Sequence, residues 1–582
     1  MCESSDTYAQ LFIRHDMMAT VRNPGQQYRF RAGLLLLVTV ALLLAFNAAS
    51  QPPKPTAPVP SQFTDIALRV RFDYVTRNDF RDRKYFPQPM CGGVAIFDFD
   101  NDGWQDIFFT NGSELPSMQR PAAFNNCLLH NRHDGTFDDQ TAAAGLLGKD
   151  MGYSLGVAVG DYDNDGFADL FICNLGENKL LHNNHNGTFT DVTPGAGLGK
   201  PQDTISVDAA WFDYDGDSLP DLLVSDYTKW TPAADFRCVD AQKREIYCSP
   251  TRYISVPDRL YRNLGNGKFE DITAAAGLSE ARGKGMGISI ADVDRDGRPD
   301  VFVVNDTERN FLFMNQGGGK FRELGVPFGV AYNDDGVTVN GMGSDAKDYD
   351  NDGFPDFFYN NLPSQVFALF RNEAGKAFRY VSPAAALGRL SYRFGGWSAG
   401  FIDYDNDGWK DIYSANGDVD YLGDNAKQAD TMFRNEGGKT FSDASPRMGS
   451  AFTRLGYHRG ASFGDLNNDG SLDIVVTGLN ERPRILMNAG NKGRHWLSLE
   501  LTGTKASRDA VGANVKVTTA SGRTLINHVA ISIGLLSSSE KRVHFGLGSE
   551  AEIKTVEIQW PGGQVQTLNN VRADQFLKVR EP

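Results

Sequence analysis

The chain has 582 residues, 73 acidic against 58 basic side chains, and a formal net charge of −15. That length can bury a sizeable core and hold more than one domain, and the acidic balance argues against nucleic-acid binding through a basic face. Six cysteines include no CxxC pair, which argues against a zinc knuckle or a thioredoxin-type redox site.

In chain order, the first feature is an apolar run over 33–46, preceded by Arg22, Arg29 and Arg31 and followed by Ala48, Ala49 and Ser50. It reads as a secretory signal over 1–50, cleaved near residue 50. The run is shorter than the ~20 residues a spanning helix needs. An uncleaved anchor is the alternative, and translation starting at Met17 or Met18 is a second. Residues 51–582 are expected outside the cytoplasm, secreted or periplasmic. A proline-rich linker follows over 51–62.

Residues 63–488 are organised around one loop, first written as Asp98-Phe-Asp100-Asn101-Asp102-Gly103-Trp104-Gln-Asp106. It starts again at Asp161, Asp213, Asp292, Asp348, Asp403 and Asp465, after gaps of 63, 52, 79, 56, 55 and 62 residues. Acidic side chains stand at loop positions 1, 3, 5 and 9. Two such charges ~4 Å apart repel by about 4 kcal/mol at an effective dielectric of ~20. A multivalent cation removes that cost, and hard oxygen ligands at this density favour Ca²⁺ over Mg²⁺. Position 7 offers its backbone carbonyl as a further ligand.

The candidate metal ligands in the first loop are therefore Asp98, Asp100, Asp102, Trp104 and Asp106, and in the second Asp161, Asp163, Asp165, Phe167 and Asp169. The third offers Asp213, Asp215, Asp217, Leu219 and Asp221; the fourth Asp292, Asp294, Asp296, Arg298 and Asp300. The fifth offers Asp348, Asp350, Asp352, Phe354 and Asp356; the sixth Asp403, Asp405, Asp407, Trp409 and Asp411. The seventh offers Asp465, Asn467, Asp469, Ser471 and Asp473. Up to seven Ca²⁺ are expected, and they would bring the net charge close to neutral. Position 6 is Gly in every copy but the third, which has Ser218 there and Gly216 two residues earlier; the seventh has Asn467 at position 3. These two sites are expected to be the weakest. An EF-hand would need Glu at position 12 and flanking helices, but position 12 is Phe109, Ile172 or Ser414 in copies one, two and six, and the flanks read as strands.

Each repeat begins with a small/apolar strand, often with Gly five residues before the loop: Gly93, Gly156, Gly287, Gly343 and Gly460. After the loop come an apolar strand, a short strand ending in Asn (Asn263, Asn372, Asn435), a tight Gly turn and a last strand such as Gly-Lys-Phe269-Glu-Asp. Four short strands per repeat predict an all-β fold, a seven-bladed β-propeller. An open solenoid is the alternative. The seventh repeat stops at Asn488 without its last strand, and the missing pattern stands at the front as Gln62-Phe63-Thr-Asp65. The N-terminal strand is therefore expected to complete the last blade and remove the open edge.

The post-loop strands end in Asn111, Asn174, Asp226, Asn305, Asn360 and Asn416. Two readings apply: ordinary turn chemistry, or a ring of ligand-binding groups at the rim opposite the ions. Cys238 and Cys248 lie in the longest gap between repeats and are expected to pair. Cys91 and Cys127 flank the first loop as a second candidate pair, and Cys173 reads as a buried free thiol. Residues 489–582 lack the loop; alternating runs such as Trp496-Leu-Ser-Leu-Glu-Leu501 predict a small β-rich, sandwich-like C-terminal domain.

These loops and strands resemble the FG-GAP/VCBS repeats of integrin α-chain propellers. The tail, with Leu535-Leu-Ser-Ser-Ser539, Val543-His-Phe-Gly-Leu-Gly548 and Trp560-Pro-Gly-Gly563, resembles the ASPIC/UnbV domain. The combination is similar to the cartilage acidic protein-like family. That resemblance implies a secreted, calcium-binding, non-catalytic protein linked to adhesion or matrix contact.

Catalytic motifs are weak. Gly152-Tyr-Ser154-Leu-Gly156 and Gly396-Trp-Ser398-Ala-Gly400 match G-x-S-x-G but fall in strands rather than at a strand-to-helix elbow. His130-Asn-Arg-His133 and His182-Asn-Asn-His185 look like metal pairs, yet His130 and His182 align with Arg262, Met314, Arg371, Arg434 and Met487, which argues for a structural role. The expected function is a binding or adhesion-type module for a protein or glycan, with structural calcium and no catalytic residues. It would touch a membrane only through an uncleaved anchor. A propeller enzyme acting on polysaccharide or lipid at the pore mouth is the alternative.

Overall fold

The computed structural model describes residues 61–81, 83–199, 203–419 and 426–582. The signal expected over 1–50, and the linker up to Pro60, lie outside the described residues. Among the described residues no helix is long and apolar enough to cross a membrane.

The architecture is all-β. Blade one runs Val94–Phe97, Asp106–Phe109, Cys127–Asn131 and Phe137–Asp139, each strand antiparallel to the next. The same four-stranded pattern recurs from inner strands Tyr153–Gly160, Thr204–Phe212, Gly285–Ala291, Gly341–Lys347, Gly396–Ile402 and His458–Gly464. In the last of these sheets the outer strand is Phe63–Asp65, with Phe63 opposite Asn488 and Asp65 opposite Leu486. The seven inner strands touch one another in sequence, and the last touches the first. The ring is closed, and the N-terminal strand gives the seventh sheet its fourth strand.

The glycine five residues before the loop is what lets the inner strands meet. A Cβ on Gly93 would lie 2.4 Å from the Leu155 carbonyl, and on Gly156 2.3 Å from that of Val207. On Gly343 it would lie 2.4 Å from the Trp397 carbonyl, and on Gly460 2.5 Å from that of Gly92, across the ring closure. Real side chains do not approach backbone so closely, so these positions admit only glycine. Apolar faces pack between blades, as in the stack of Phe302 on Phe357 at 4.2 Å. Burial of such ring pairs is the main favourable term.

The tail forms two sheets, one of His495–Thr502, Val543–Gly548 and Gln575–Arg580, the other of Asn514–Thr519, Thr524–His528, Glu552–Gln559 and Val565–Arg572. Leu497, Leu499, Val515, Val517, Phe545, Val556 and Trp560 share one buried core with inner-strand residues of the ring. Ser61–Pro582 is a single compact unit.

One segment explains that union. Between its two sheets the tail sends Ile531–Ser539 down the central channel. Gly534 exchanges both backbone hydrogen bonds with Ser344, at 2.8 and 3.0 Å. Val94 and Val157 donate to the Leu536 carbonyl at 3.3 and 3.4 Å, and Ser537–Ser538 pairs parallel with Val94–Ala95. Ala461 donates to Ser537 Oγ at 3.1 Å, Val159 to Ser538 Oγ at 3.0 Å and Phe463 to Ser539 Oγ at 3.0 Å. The channel edges of the inner strands would otherwise hold buried, unpaired amides, each costing about 1–3 kcal/mol. Leu535 and Leu536 are fully buried among Leu155, Val207, Met286, Met342 and Trp397. The Leu-Leu-Ser-Ser-Ser run is thus an apolar tip followed by three hydroxyl acceptors.

Cys238 and Cys248 form a disulfide that ties the long insertion. The suggested Cys91–Cys127 pair does not form; both are free and buried. Cys91 belongs to the cluster at the channel mouth and Cys127 to the core between blade one and the N-terminal segment. Burial pushes the Cys91 thiol up to about 12. Cys173 is a buried free thiol. Ser154 and Ser398 lie within inner strands, away from any elbow.

Candidate functional site

The acidic loops line one rim and share one geometry. Position 1 receives the amides of positions 5 and 6: Asp98 from Asp102 at 3.1 Å and Gly103 at 2.8 Å. Position 5 receives the amide of position 7, as Asp102 does from Trp104 at 2.8 Å. Position 9 receives the amides of position 2 and of the third-strand asparagine, as Asp106 does from Phe99 at 3.2 Å and Asn131 at 2.7 Å. The irregular third loop keeps this frame, because Gly216 and Ser218 both adopt positive φ, at 79° and 74°. In the seventh, Asn467 donates to Asp469 at 2.9 Å.

The turns bring the expected side chains together. One carboxylate oxygen from each of Asp98, Asp100 and Asp106, and one from each of Asp161, Asp163 and Asp165, lie within 4.8 Å of one another. Burial is the largest cause of a raised pKa at position 1, with neighbouring carboxylates adding to it. Asp213, Asp292, Asp348 and Asp465 are pushed up to about 6, Asp403 to about 7 and Asp161 to about 8. At position 9 burial lifts Asp169 to about 6 and Asp221 to about 9. Charge concentrated this way favours a bound cation. The oxygens also have room for one: Asp100 Oδ1, Asp215 Oδ1, Asp405 Oδ1 and Asp411 Oδ2 are buried and lack a hydrogen-bond partner among the described residues. The donor set, all hard oxygen, fits Ca²⁺.

The asparagine after each third strand also locks blade to blade. Asn131 Nδ2 donates to the Leu466 carbonyl of the seventh loop at 2.7 Å, Asn183 to Phe99 of the first at 2.8 Å and Asn263 to Tyr162 of the second at 2.7 Å. Asn315, Asn372, Asn435 and Asn488 continue the belt to Tyr214, Val293, Tyr349 and Tyr404. The repeated Asn is legible in the sequence; its reach to the preceding blade is not. The side chain before it turns onto the loop carboxylates: Arg371 meets Asp350 at 2.6 Å and Asp352 at 2.8 Å, and Arg262 meets Asp215 and Asp217, both at 3.0 Å. In blades one and two His130 and His182 take this place and meet Asp100 and Asp163.

The tail covers the loop rim. Arg508 Nε lies 3.7 Å from Asp161, Arg494 Nη1 3.6 Å from both Asp405 and Asp407, and His544 Nε2 2.7 Å from Asn406 Oδ1. The Asp465 backbone amide donates to Glu540 Oε2 at 2.7 Å.

The opposite rim is different. The six polar residues Asn111, Asn174, Asp226, Asn305, Asn360 and Asn416 are all buried and do not ring the mouth. Asn416 and Asn305 follow turn chemistry, with Asn416 Nδ2 donating to the Ala429 carbonyl at 2.9 Å and Asn305 Nδ2 to that of Arg309 at 3.0 Å, whereas Asp226 pairs with Arg259 and Asn360 Nδ2 donates to Ser398 of the next blade at 3.3 Å. What lies there is a cavity of about 250 Å³ lined by Phe86, Met90, Tyr227, Tyr247, Met286, Met342 and Trp397. Its polar groups include Asp306 and Asn340. Asp306 accepts from Tyr227 Oη at 2.5 Å and from Asn340 Nδ2 at 2.7 Å, and burial raises its pKa. The Arg459 guanidinium stacks 3.7 Å from the Trp397 ring. The disulfide-tied insertion forms one wall, held by Arg83 to Glu245 at 2.9 Å and by Phe86 stacked on Tyr253 at 3.8 Å. No periodicity in the sequence marks this cavity, because its lining comes from nine separate stretches between Phe86 and Val419.

A closed ring of acidic-loop sheets, plugged by its own tail, defines a class of repeat propeller. Models of the FG-GAP-like repeat match residues 98–172, 161–224, 243–303, 292–359, 348–414 and 415–476, and the ASPIC and UnbV model matches 503–582. The chain belongs to the FG-GAP-like repeat family and ends in an ASPIC and UnbV domain. It is similar to cartilage acidic protein 1 of Homo sapiens, 26% identical over 525 residues, covering 85% of this chain and 72% of that protein. The Xenopus tropicalis protein of the same name is 25% identical over 509 residues, covering 83% and 72%. Among solved structures, a rhamnogalacturonan lyase of Bacillus licheniformis is 12% identical over 73% of this chain and 75% of its own, with a TM-score of 0.36.

Proposed function

We propose that the chain is an exported binding module, held together by calcium in its acidic loops, that engages a protein or glycan partner at the open mouth. The observation that carries this reading is the asymmetry of the rims. The loop rim is covered by residues 489–582 and the channel is filled from that side, so the aromatic cavity at the other rim is a concave surface open to a ligand. Calcium would be held by carboxylates at positions 1, 3, 5 and 9 and the carbonyl of position 7, with Asn467 in place of a carboxylate in the seventh loop. Export agrees with the Cys238–Cys248 disulfide. The decisive experiment is a glycan array and a polysaccharide-cleavage screen run on the same purified chain. Saturable binding without cleavage supports the reading; turnover of any screened substrate overturns it in favour of a propeller enzyme.

A further inference from the structure

Blades one and two differ from the other five at one corner. Two residues beyond the third-strand asparagine the chain needs positive φ, and the residues there are Gly265, Gly317, Gly437 and Gly490 in blades three, four, six and seven, and Ala374 in blade five. In blades one and two they are His133, at φ 63°, and His185, at φ 61°. A bulky side chain in the left-handed region costs on the order of 1 kcal/mol or more. The residue before the asparagine changes in step, to His130 and His182, where the other blades have Arg or Met.

The four imidazoles converge on their loops. His130 Nε2 lies 3.1 Å from Asp100 Oδ2 and 3.6 Å from Asp102 Oδ2, and His133 Nε2 lies 2.6 Å from that same Asp102 oxygen. His182 Nδ1 lies 3.4 Å from Asp163 Oδ2 and 3.3 Å from Asp169 Oδ1, while His185 Nε2 contacts Asp165 Oδ2. The second histidine of each pair is held flat on the position-7 ring, His133 on Trp104 at 4.6 Å and His185 on Phe167 at 4.3 Å. Ligand atoms of Asp100, Asp102 and His130 fall within 4.8 Å of one another, as do those of Asp165, His182 and His185. His130 Nε2 and His182 Nδ1 are buried atoms without a hydrogen-bond partner among the described residues.

At loop position 5 the oxygen that faces the second histidine is not the one that faces the loop backbone. Asp102 Oδ1 takes the Trp104 amide and Oδ2 faces His133; Asp165 Oδ1 takes the Phe167 amide and Oδ2 faces His185. Mixed imidazole and carboxylate donors suit Zn²⁺-class ions, whereas calcium takes oxygen alone. Zinc bonds of about 2.0–2.1 Å in a tetrahedron place ligands roughly 3.3–3.4 Å apart. The distances from His130 to Asp100 and Asp102, and from His182 to Asp163, bracket that edge.

We infer that blades one and two each bind a borderline transition dication of the Zn²⁺ class on the outer side of the acidic loop. The ligands are the imidazole pair with the outward oxygens of Asp100 and Asp102 in blade one, and of Asp163 and Asp165 in blade two. The inference rests on reading the loops as cation sites and adds a second ion beside the first, bridged by shared carboxylates.

The test is Zn²⁺ titration of the calcium-loaded chain against a chromophoric competitor, with calcium-dependent melting recorded in parallel. Roughly two equivalents are expected. In the variant His133→Gly/His185→Gly, which borrows the residue four other blades use, affinity should fall by roughly ten-fold or more. In His130→Arg/His182→Arg, which borrows the residue of three other blades, binding should be lost. Both variants should keep the calcium-dependent melting shift. Fewer than one equivalent bound by the parent chain, or unchanged affinity in both variants, overturns the inference. A parent chain that binds Zn²⁺ but melts independently of calcium supports the histidine sites and overturns only the calcium reading of the loops.

Discussion

The two rims of the ring are built from the same strands and solve opposite problems. At the loop rim, carboxylates crowd together, backbone amides and a belt of asparagines fix every turn, and the tail closes over them. At the other rim the polar residues are spent on turns, and the channel opens into an aromatic cavity with two carboxylates at its edge, Asp306 and Asp418. The difference teaches that repetition serves assembly, whereas the concave surface is built from what does not repeat. Every blade repeats the loop, whereas at one equivalent level of successive inner strands Leu155 and Val207 give way to Met286, Met342 and Trp397, and these last three line the cavity.

The comparison is broken most severely from the channel. Leu536→Asp would bury a carboxylate among apolar side chains, and the expected loss exceeds about 4 kcal/mol. Urea denaturation should show ring and tail losing stability together. Unfolding of the tail alone, with an intact ring, would contradict the single-unit reading.

Acid should loosen the covered rim next. His544, between the tail and the sixth loop, is held down to about 3 by burial and by Arg542, and burial holds His528 well below the usual range. A depressed folded pKa means the unfolded chain binds the proton first. Stability from these groups is therefore full above about pH 6.5 and is lost as pH falls toward 3. Melting curves between pH 7 and 4, read with His544→Gln alongside, should show a shallower decline in the variant. Equal slopes would remove His544 from the account.

The smallest effect on stability is expected at the open rim. Ser249 is an exposed residue at the cavity edge. Ser249→Arg should change stability by only about 0.5–1 kcal/mol, the scale of a lost cap. It should nonetheless weaken any ligand found on the array. Undiminished binding would move the ligand site elsewhere.

Much of this was legible in the sequence because period and spacing report local structure. The Asp-x-Asp-x-Asp-Gly loops, the Phe-x-Asp outer strands and the Cys238–Cys248 pair depend on neighbours in sequence. The plug was not legible. Leu535-Leu-Ser-Ser-Ser has no strand alternation, and its partners come from every blade. The same applies to Cys91 and Cys127, close in sequence to one loop but buried in different cores. The reading of Asn111 and its counterparts as a ring failed because strand direction places a residue at a rim without saying whether its side chain faces solvent or its own turn. Alignment sets His130 beside Arg371, and the fold shows that both side chains reach the loop carboxylates.

The central claim is that bound calcium locks the closed ring, and melting the purified chain in millimolar calcium and in excess chelator tests it most directly. A site at a hundredfold its dissociation constant contributes about 2.7 kcal/mol, so seven sites predict a fall in Tm on the order of 10 °C or more with chelator, restored on adding calcium back. An unchanged Tm in excess chelator would contradict it.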